Sequence, residues 1–204
     1  MLYYQTIDSK TLELLRNLQE LPILSKMRLV GGTSLALQIG HRKSIDIDLF
    51  GELNVTYEVL LDELGSIGKL RPLNNSKNIH CFLIDDVKVD IVNYTYPWLS
   101  SQLEMDNLVL AKVEDISAMK LNAILGGGSK KDFIDLYFLL KQFSLKELVH
   151  FYNLKYKDGS EFLVLKSLVY FDDADVEEMP VMFDPINWEE IKSSIAYHHA
   201  GLLH

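Results

Sequence analysis

The chain has 204 residues, 48% hydrophobic, 10% aromatic and 24% charged. That length and apolar content bury a sizeable core, which excludes a disordered tail and suits one large domain or a domain with a smaller partner. Twenty Lys and Arg against 29 Asp and Glu give a net charge of −9, which on its face argues against a nucleic-acid partner.

The distribution changes that conclusion. Eight acidic residues and no basic one lie between Asp172 and Glu190, and setting those eight aside leaves 21 acidic against 20 basic residues. The block reads as a solvated face, and the body of the chain is close to neutral. No apolar run reaches the length of a membrane span, and the N-terminal MLYYQTIDSKTLELL lacks the pattern of a secretory signal, so the expected setting is cytoplasmic with no membrane partner. The single cysteine, Cys81, sits in an apolar run and is expected to be a buried, inert strand residue.

In chain order, residues 9–20 read as an amphipathic helix with Asp8 or Ser9 as its cap and Leu12, Leu15 and Leu18 on one stripe, ending before Pro22. Met27 to Val30 is a short strand entering Gly31-Gly32. Thr33 is then placed to cap a helix running to Ile39, which Gly40 closes. Ser44 to Phe50 alternates Ile45, Ile47 and Leu49 with Ser44, Asp46 and Asp48, the period of a half-buried strand. A helix from about Thr56 to Leu64 follows, then strands Ile79–Ile84 and Val87–Tyr94 joined across Asp85-Asp86. Beyond Val113 the pattern is helical: about 115–125 up to Gly126-Gly127-Gly128, then 130–142, 145–155 with a Ser144/Glu147 capping box, 160–170 and 188–199.

A glycine pair between strand and helix lets backbone N–H groups approach an anion, because no Cβ intervenes and the helix dipole favours negative charge. Asp46 and Asp48 are two apart on one strand and share a face, a spacing suited to hard cations. In Val87-Lys88-Val89-Asp90-Ile91-Val92-Asn93, Asp90 faces away from Val89 and Ile91, and a carboxylate among apolar neighbours is costly without a cation. Glycine turn, paired aspartates and a third aspartate on a hairpin are, in that order, the parts that two-metal nucleotidyl transfer needs.

VGGTSLALQIGHRKSIDIDLF (Val30 to Phe50), ISAMKLNAI (Ile116 to Ile124) and KDFIDLYFLL after Lys130 together resemble the AbiEii/AbiGii-type nucleotidyltransferase toxins, a family of the polymerase-β-like superfamily. The resemblance spans about residues 25–145. It implies an α+β fold, with a nucleotidyltransferase-type mixed sheet and helices over 1–112 and a helical domain packed against it over 113–204. By motif, Gly31, Gly32 and Thr33, with Ser34 beside them, correspond to the family's phosphate-binding turn, and Asp46 and Asp48 to its metal-binding pair. Strand order alone assigns Asp90 as the third metal carboxylate. Lys120 corresponds to a family lysine that neutralises triphosphate charge, and Asp132, with Asp135 after it, to the acidic positions of the family's K-D-x-x-D-L-Y helix. The implied activity is Mg²⁺-dependent transfer of a nucleoside monophosphate from an NTP to a hydroxyl of an acceptor RNA (a tRNA end) or protein, in a toxin held by a co-encoded antitoxin. The chain departs from the family pattern in one place: glycines occupy the loop before K-K-D where members commonly carry arginine, and Arg42 and Lys43 are candidates to compensate.

Two other readings stand beside this one. A small-molecule, antibiotic-modifying nucleotidyltransferase would share the fold and the aspartate pair. A non-catalytic nucleotide- or partner-binding protein would use the acidic 172–190 stretch for docking. The remaining histidines, His41, His80, His150 and the adjacent His198-His199, lack ligand spacing and are assigned no role. The aromatics of 133–171 fall at helical spacing and read as core.

Overall fold

The computed structural model describes residues 1–202. Contacts divide the chain into two units: Met1–Gly40 with Ser44–Thr95 and Ser101–Ala111, and His41–Lys43 with Tyr96–Ser100 and everything from Lys112 onward.

The first unit is a seven-stranded mixed sheet, counted among the described residues, with three α-helices. α1 (Ser9–Glu20) starts where Asp8 accepts the Thr11 N–H at 2.9 Å, and it buries Thr11, Leu14, Leu15 and Leu18. Leu12, expected on that stripe, is only half-buried, because the 3.6-residue period centres the buried face on Leu14 and Leu18 instead. β1 (Met27–Leu29) leads into α2 (Gly31–Ile39), which Gly40 ends in the left-handed conformation at φ 73°. β2 (Ile47–Gly51), α3 (Tyr57–Gly65, capped by Thr56), β3 (Leu70–Asn75), β4 (Ile79–Ile84), β5 (Val87–Asn93), β6 (Leu103–Met105) and β7 (Leu108–Leu110) complete the unit.

The strand order is β3-β4-β5-β2-β1-β7-β6. β2 runs parallel to β5 and β1 parallel to β7; the other neighbours are antiparallel. Leu29, Ile47, Leu49, Phe82, Val89, Ile91 and Leu110 are fully buried in one cluster with Leu15, Leu18, Leu60 and Leu64 of the helices. The Asp85-Asp86 turn has φ of 47° and 67°. Asp tolerates that left-handed region, and the resulting twist suits a two-residue hairpin.

The expected strand Ser44–Phe50 begins only at Ile47, and Ile45 is 62% exposed. The alternation is present in the residues, but among the described residues the ladder starts at Ile47. Hydrogen bonds over Ser44 to Asp46 instead go from Ser44 N–H to the Thr6 carbonyl (2.9 Å) and from the Thr33 hydroxyl to the Asp46 carbonyl.

In the second unit α4 (Val113–Leu125) packs against α5 (Lys130–Leu139), α6 (Leu145–Lys155) and α7 (Glu161–Ser167), while α9, which starts at Trp188, packs on α5 and α6. The expected capping box is present at α6: Ser144 and Glu147 exchange hydrogen bonds. A four-residue α8 (Asp172–Asp175) lies within the acidic stretch, whose eight carboxylate residues are all exposed. Phe133, Phe171 and Trp188 form an aromatic cluster with ring centroids 5.0 to 6.1 Å apart; of the aromatics of 133–171, Phe133, Tyr137, Phe138, Tyr152 and Tyr156 are buried, as their spacing implied, whereas Phe171 is half-buried and Phe162 and Tyr170 are exposed. No helix of the described residues is long and apolar enough to cross a membrane.

Candidate active site

In the first unit the expected residues gather on one face of the sheet. Asp48 on β2 and Asp90 on β5 are direct partners in the parallel register, and Cys81 on β4 faces Asp90 in the next one. The row Cys81, Asp90, Asp48 therefore crosses three strands with neighbouring backbones roughly 4.8 Å apart. All three are half-buried, because Ile47, Leu49, Val89, Ile91 and Phe82 take the opposite face into the core.

Gly31 closes the row on the β1 side. Val30 N–H donates to the Asp48 carbonyl at 2.9 Å, bringing the start of α2 against β2. Gly31 has φ +67°, and a Cβ there would overlap Asp48 Oδ2 and come 3.0 Å from Asp48 Cγ. Glycine is thus required twice over, by conformation and by the approach of the carboxylate. The first N–H groups of α2, those of Gly31, Gly32 and Thr33, have no acceptor within a helix. The Ser34 N–H bonds to the Val30 carbonyl (3.3 Å), and its buried hydroxyl accepts from Gln38.

Thr33 is not the helix cap expected of it; Val30 is. Its buried hydroxyl lies 2.8 Å from Ser44 Oγ and donates to the Asp46 carbonyl, so it pins the segment carrying the aspartates.

Lys88 Nζ lies 2.7 Å from Asp90 Oδ2. Burial pulls this ammonium down, but its hydrogen bond to Asp90 and the charges of Asp90, Asp48 and Asp46 outweigh that and raise it above the ordinary lysine value. The Cys81 thiol is pushed up to about 11, by burial first and then by Asp90 beside it, which makes it the inert thiol expected, although half-buried rather than buried.

Asp90 Oδ1 is buried without a hydrogen-bond partner among the described residues. An orphaned carboxylate oxygen beside a second carboxylate is a hard-donor arrangement that fits Mg²⁺, which binds through one or two protein carboxylates and takes its remaining ligands from water and phosphate. No group of three His, Cys, Asp or Glu side chains among the described residues is placed to hold a metal ion together.

Lys120 and Asp132 belong to the second unit, where they bind each other at 2.8 Å. Asp132 also accepts from Ser129 N–H (3.0 Å) and Oγ (2.9 Å) as the N3 residue of a capping box. Lys120 reaches Asp135 at 2.7 Å as well. Asp135 has no exposure, and it receives His41 Nε2 (2.7 Å) and the fork of Arg42 Nε and Nη2 (2.7 and 2.9 Å). Burial lowers the Lys120 ammonium, yet Asp135 and then Asp132 push it up to about 12. Burial raises Asp135, but Lys120, Arg42 and His41 hold it well below the carboxylate range.

Arg42 is therefore not a substitute for the missing loop arginine: it is 2% exposed and forked onto Asp135. The glycines of that loop have local reasons, since Gly127 has φ +96° and a Cβ on Gly128 would meet Ile124 Cα at 2.8 Å. The part of His41 escaped the sequence reading, because its partner lies 94 residues away and no local pattern marks it. The same holds for buried Asp115, which accepts from Lys155 Nζ (2.7 Å) and the Leu99 and Ser100 N–H groups.

A helix N-terminus abutting a row of strand carboxylates on a mixed sheet is the arrangement of a nucleotidyltransferase fold. Solved structures agree. A putative nucleotidyltransferase from H. pylori is 21% identical, with a TM-score of 0.62 over 95% of this chain and 92% of that one. MenT4, a nucleotidyltransferase toxin from Mycobacterium tuberculosis H37Rv, is 14% identical with a TM-score of 0.62 over 95% and 82%. In sequence, the chain is 36% identical over 186 residues to the "Uncharacterized protein aq_aa25" of Aquifex aeolicus (strain VF5), covering 88% of this chain and 89% of that protein. The model of the family described as "Nucleotidyl transferase AbiEii toxin, Type IV TA system" matches residues 13–200. The chain belongs to that AbiEii family of nucleotidyltransferase toxins, and is by membership a nucleotidyltransferase.

Proposed function

We propose that the protein is a Mg²⁺-dependent enzyme that moves a nucleoside monophosphate from an NTP to a hydroxyl on an RNA, a tRNA end above all, or on a protein, releasing pyrophosphate. The observation that carries this reading is the adjacency of Asp48 and Asp90 on parallel strands with Gly31 packed against the Asp48 carboxylate. In it, Asp48 and Asp90 hold the metal, Asp46 adds the third carboxylate, and the N–H groups of Gly31, Gly32 and Thr33 bind the triphosphate at the start of α2. Ser34 supports the turn from behind, through Gln38. When bound, Mg²⁺ supplies charge neutralisation on the phosphates and lowers the pKa of the attacking hydroxyl.

Lys120 and Asp132 enter through the family motifs they match. Their buried ion pair keeps both groups ionised, Lys120 as a cation and Asp132 as a carboxylate. In domain terms the reading assigns nucleotide chemistry to 1–112 and these supporting charges to the helical 113–204. It further makes the protein the cytoplasmic toxin of a type IV toxin–antitoxin, abortive-infection pair with a co-encoded antitoxin, since its substrates are cytoplasmic and unrestrained NTP transfer would harm its own cell.

The test is a labelling assay. Wild-type chain and Asp46→Ala are each incubated with Mg²⁺ and the four α-labelled NTPs in turn, together with total bacterial RNA, a cell lysate, or an aminoglycoside panel. Label in an RNA or protein band, absent from the variant, supports the reading and names nucleotide and acceptor class. Label only in aminoglycosides favours antibiotic modification. Mg-NTP binding with no label in any acceptor favours the non-catalytic alternative.

A further inference from the structure

Lys88 is a charged residue of the carboxylate face to which the sequence reading gave no role. It lies two residues before Asp90 on β5, so both side chains leave the same face roughly 7 Å apart along the strand. The lysine chain spans that gap and sets Nζ 2.7 Å from Asp90 Oδ2, with its side chain 45% exposed against 19% for Asp90.

Asp90 is thus divided. One oxygen is covered by an ammonium and the other is buried and has no hydrogen-bond partner among the described residues. A carboxylate in that state carries an unmet desolvation cost, while the group covering it is the more solvent-exposed partner and can leave without disturbing the core. An ammonium held at 2.7 Å by a carboxylate of the row occupies the place of a cation.

We propose that Lys88 is a tethered counter-ion that covers Asp90 in the metal-free protein and yields it to a divalent cation, so that it sets the metal affinity of the site. The inference rests on the metal-site reading above. It makes Lys88 a positioning residue: its ammonium neutralises Asp90, which would otherwise stand as an uncompensated charge beside Asp48, and metal binding becomes an exchange of one cation for another.

The experiment is calorimetric titration of the full chain with Mn²⁺ alone, without nucleotide. The proteins are wild type, Lys88→Met, Lys88→Arg, Asp48→Asn and, as a control for general charge, Lys69→Met, whose exposed side chain lies outside this face. Lys88→Gln replaces Lys88→Met if the latter does not fold.

Because the competing ion pair is part-exposed, Lys88→Met is expected to bind Mn²⁺ roughly two- to fivefold tighter. Lys88→Arg and Lys69→Met should stay at the wild-type value. Unchanged or weaker binding by Lys88→Met, with Asp48→Asn still losing the metal, overturns the counter-ion alone. Wild-type-like Mn²⁺ binding by Asp48→Asn, or no binding by the wild type, overturns the metal site and the inference with it.

Discussion

Replacing Gly31 with alanine tests how tightly the start of α2 is built against the carboxylate row. Gly31 has φ +67°, a conformation that costs a residue with a Cβ about 1–2 kcal/mol. The new methyl would also overlap Asp48 Oδ2 and lie 3.0 Å from Asp48 Cγ, so the carboxylate must leave its rotamer well, at about 0.5–1.5 kcal/mol. The expected loss in urea unfolding is therefore about 1.5–3.5 kcal/mol, less than the roughly 5–15 kcal/mol by which a domain is ordinarily stable, so the protein stays folded in the absence of denaturant. Transfer activity should fall much further, roughly a hundredfold, because it depends on the carboxylate's position to within about 1 Å. Gly65→Ala is the matched control: a Cβ there meets nothing within 4 Å, and stability should hold or rise slightly. A Gly31→Ala protein with wild-type stability and wild-type transfer would show that the turn and Asp48 are not coupled as described.

Four further outcomes are expected. Asp135→Asn takes the carboxylate from buried Arg42 and leaves Lys120 with Asp132 alone, and should cost about 3–5 kcal/mol by urea denaturation; a loss under 1 kcal/mol would show the network to be energetically slack. Since Asp135 and Asp132 are both depressed in the fold, their stabilisation is present above the unfolded carboxylate value and is lost as pH falls through the folded ones. Acid titration of stability should accordingly decline below about pH 4, with a shallower decline in Asp135→Asn. Cys81, with its thiol near 11 instead of 9.0, should alkylate about a hundredfold more slowly at pH 8 in the folded chain than in urea; equal rates would place it in open solvent. Gly126→Arg, at an exposed position where a Cβ comes no nearer than 3.5 Å to anything, should keep stability within about 0.5 kcal/mol and tighten RNA binding in a filter assay, whereas unchanged binding would deny the loop arginine a phosphate contact.

What could be read from the sequence was what local pattern controls. The capped helix at Ser9, the Asp85-Asp86 hairpin, the Ser144/Glu147 box and the α/β-then-helical order each follow from residues within a few positions of one another. β3 was missed because Pro72 and two asparagines hide any alternation, and an edge strand tolerates them. β6 and β7 were missed because three residues on either side of Asp106-Asn107 are too few to show a period. The strand over Ser44–Asp46 was expected from alternation alone, but Thr33 and Thr6 supply hydrogen bonds there and, among the described residues, the ladder starts at Ile47.

For the candidate site, the aspartates could be picked out in sequence, but the parallel pairing that puts Asp48 against Asp90 could not, because it joins residues 42 apart through a register set by the core. Nothing local to the sequence marks Lys88, whose partner Asp90 is set by the shared face of β5. His41 and Arg42 gave no sign of Asp135, since buried ion networks form between distant segments and leave no periodic trace.

Whether the carboxylate row carries nucleotidyl transfer is decided by comparing α- and γ-labelled NTP with the wild type and Asp48→Asn. With the wild type, α label should enter the acceptor and γ label should appear only in pyrophosphate, and Asp48→Asn should abolish both. Transfer of γ label to the acceptor, or undiminished transfer of α label by Asp48→Asn, would refute the role of the row.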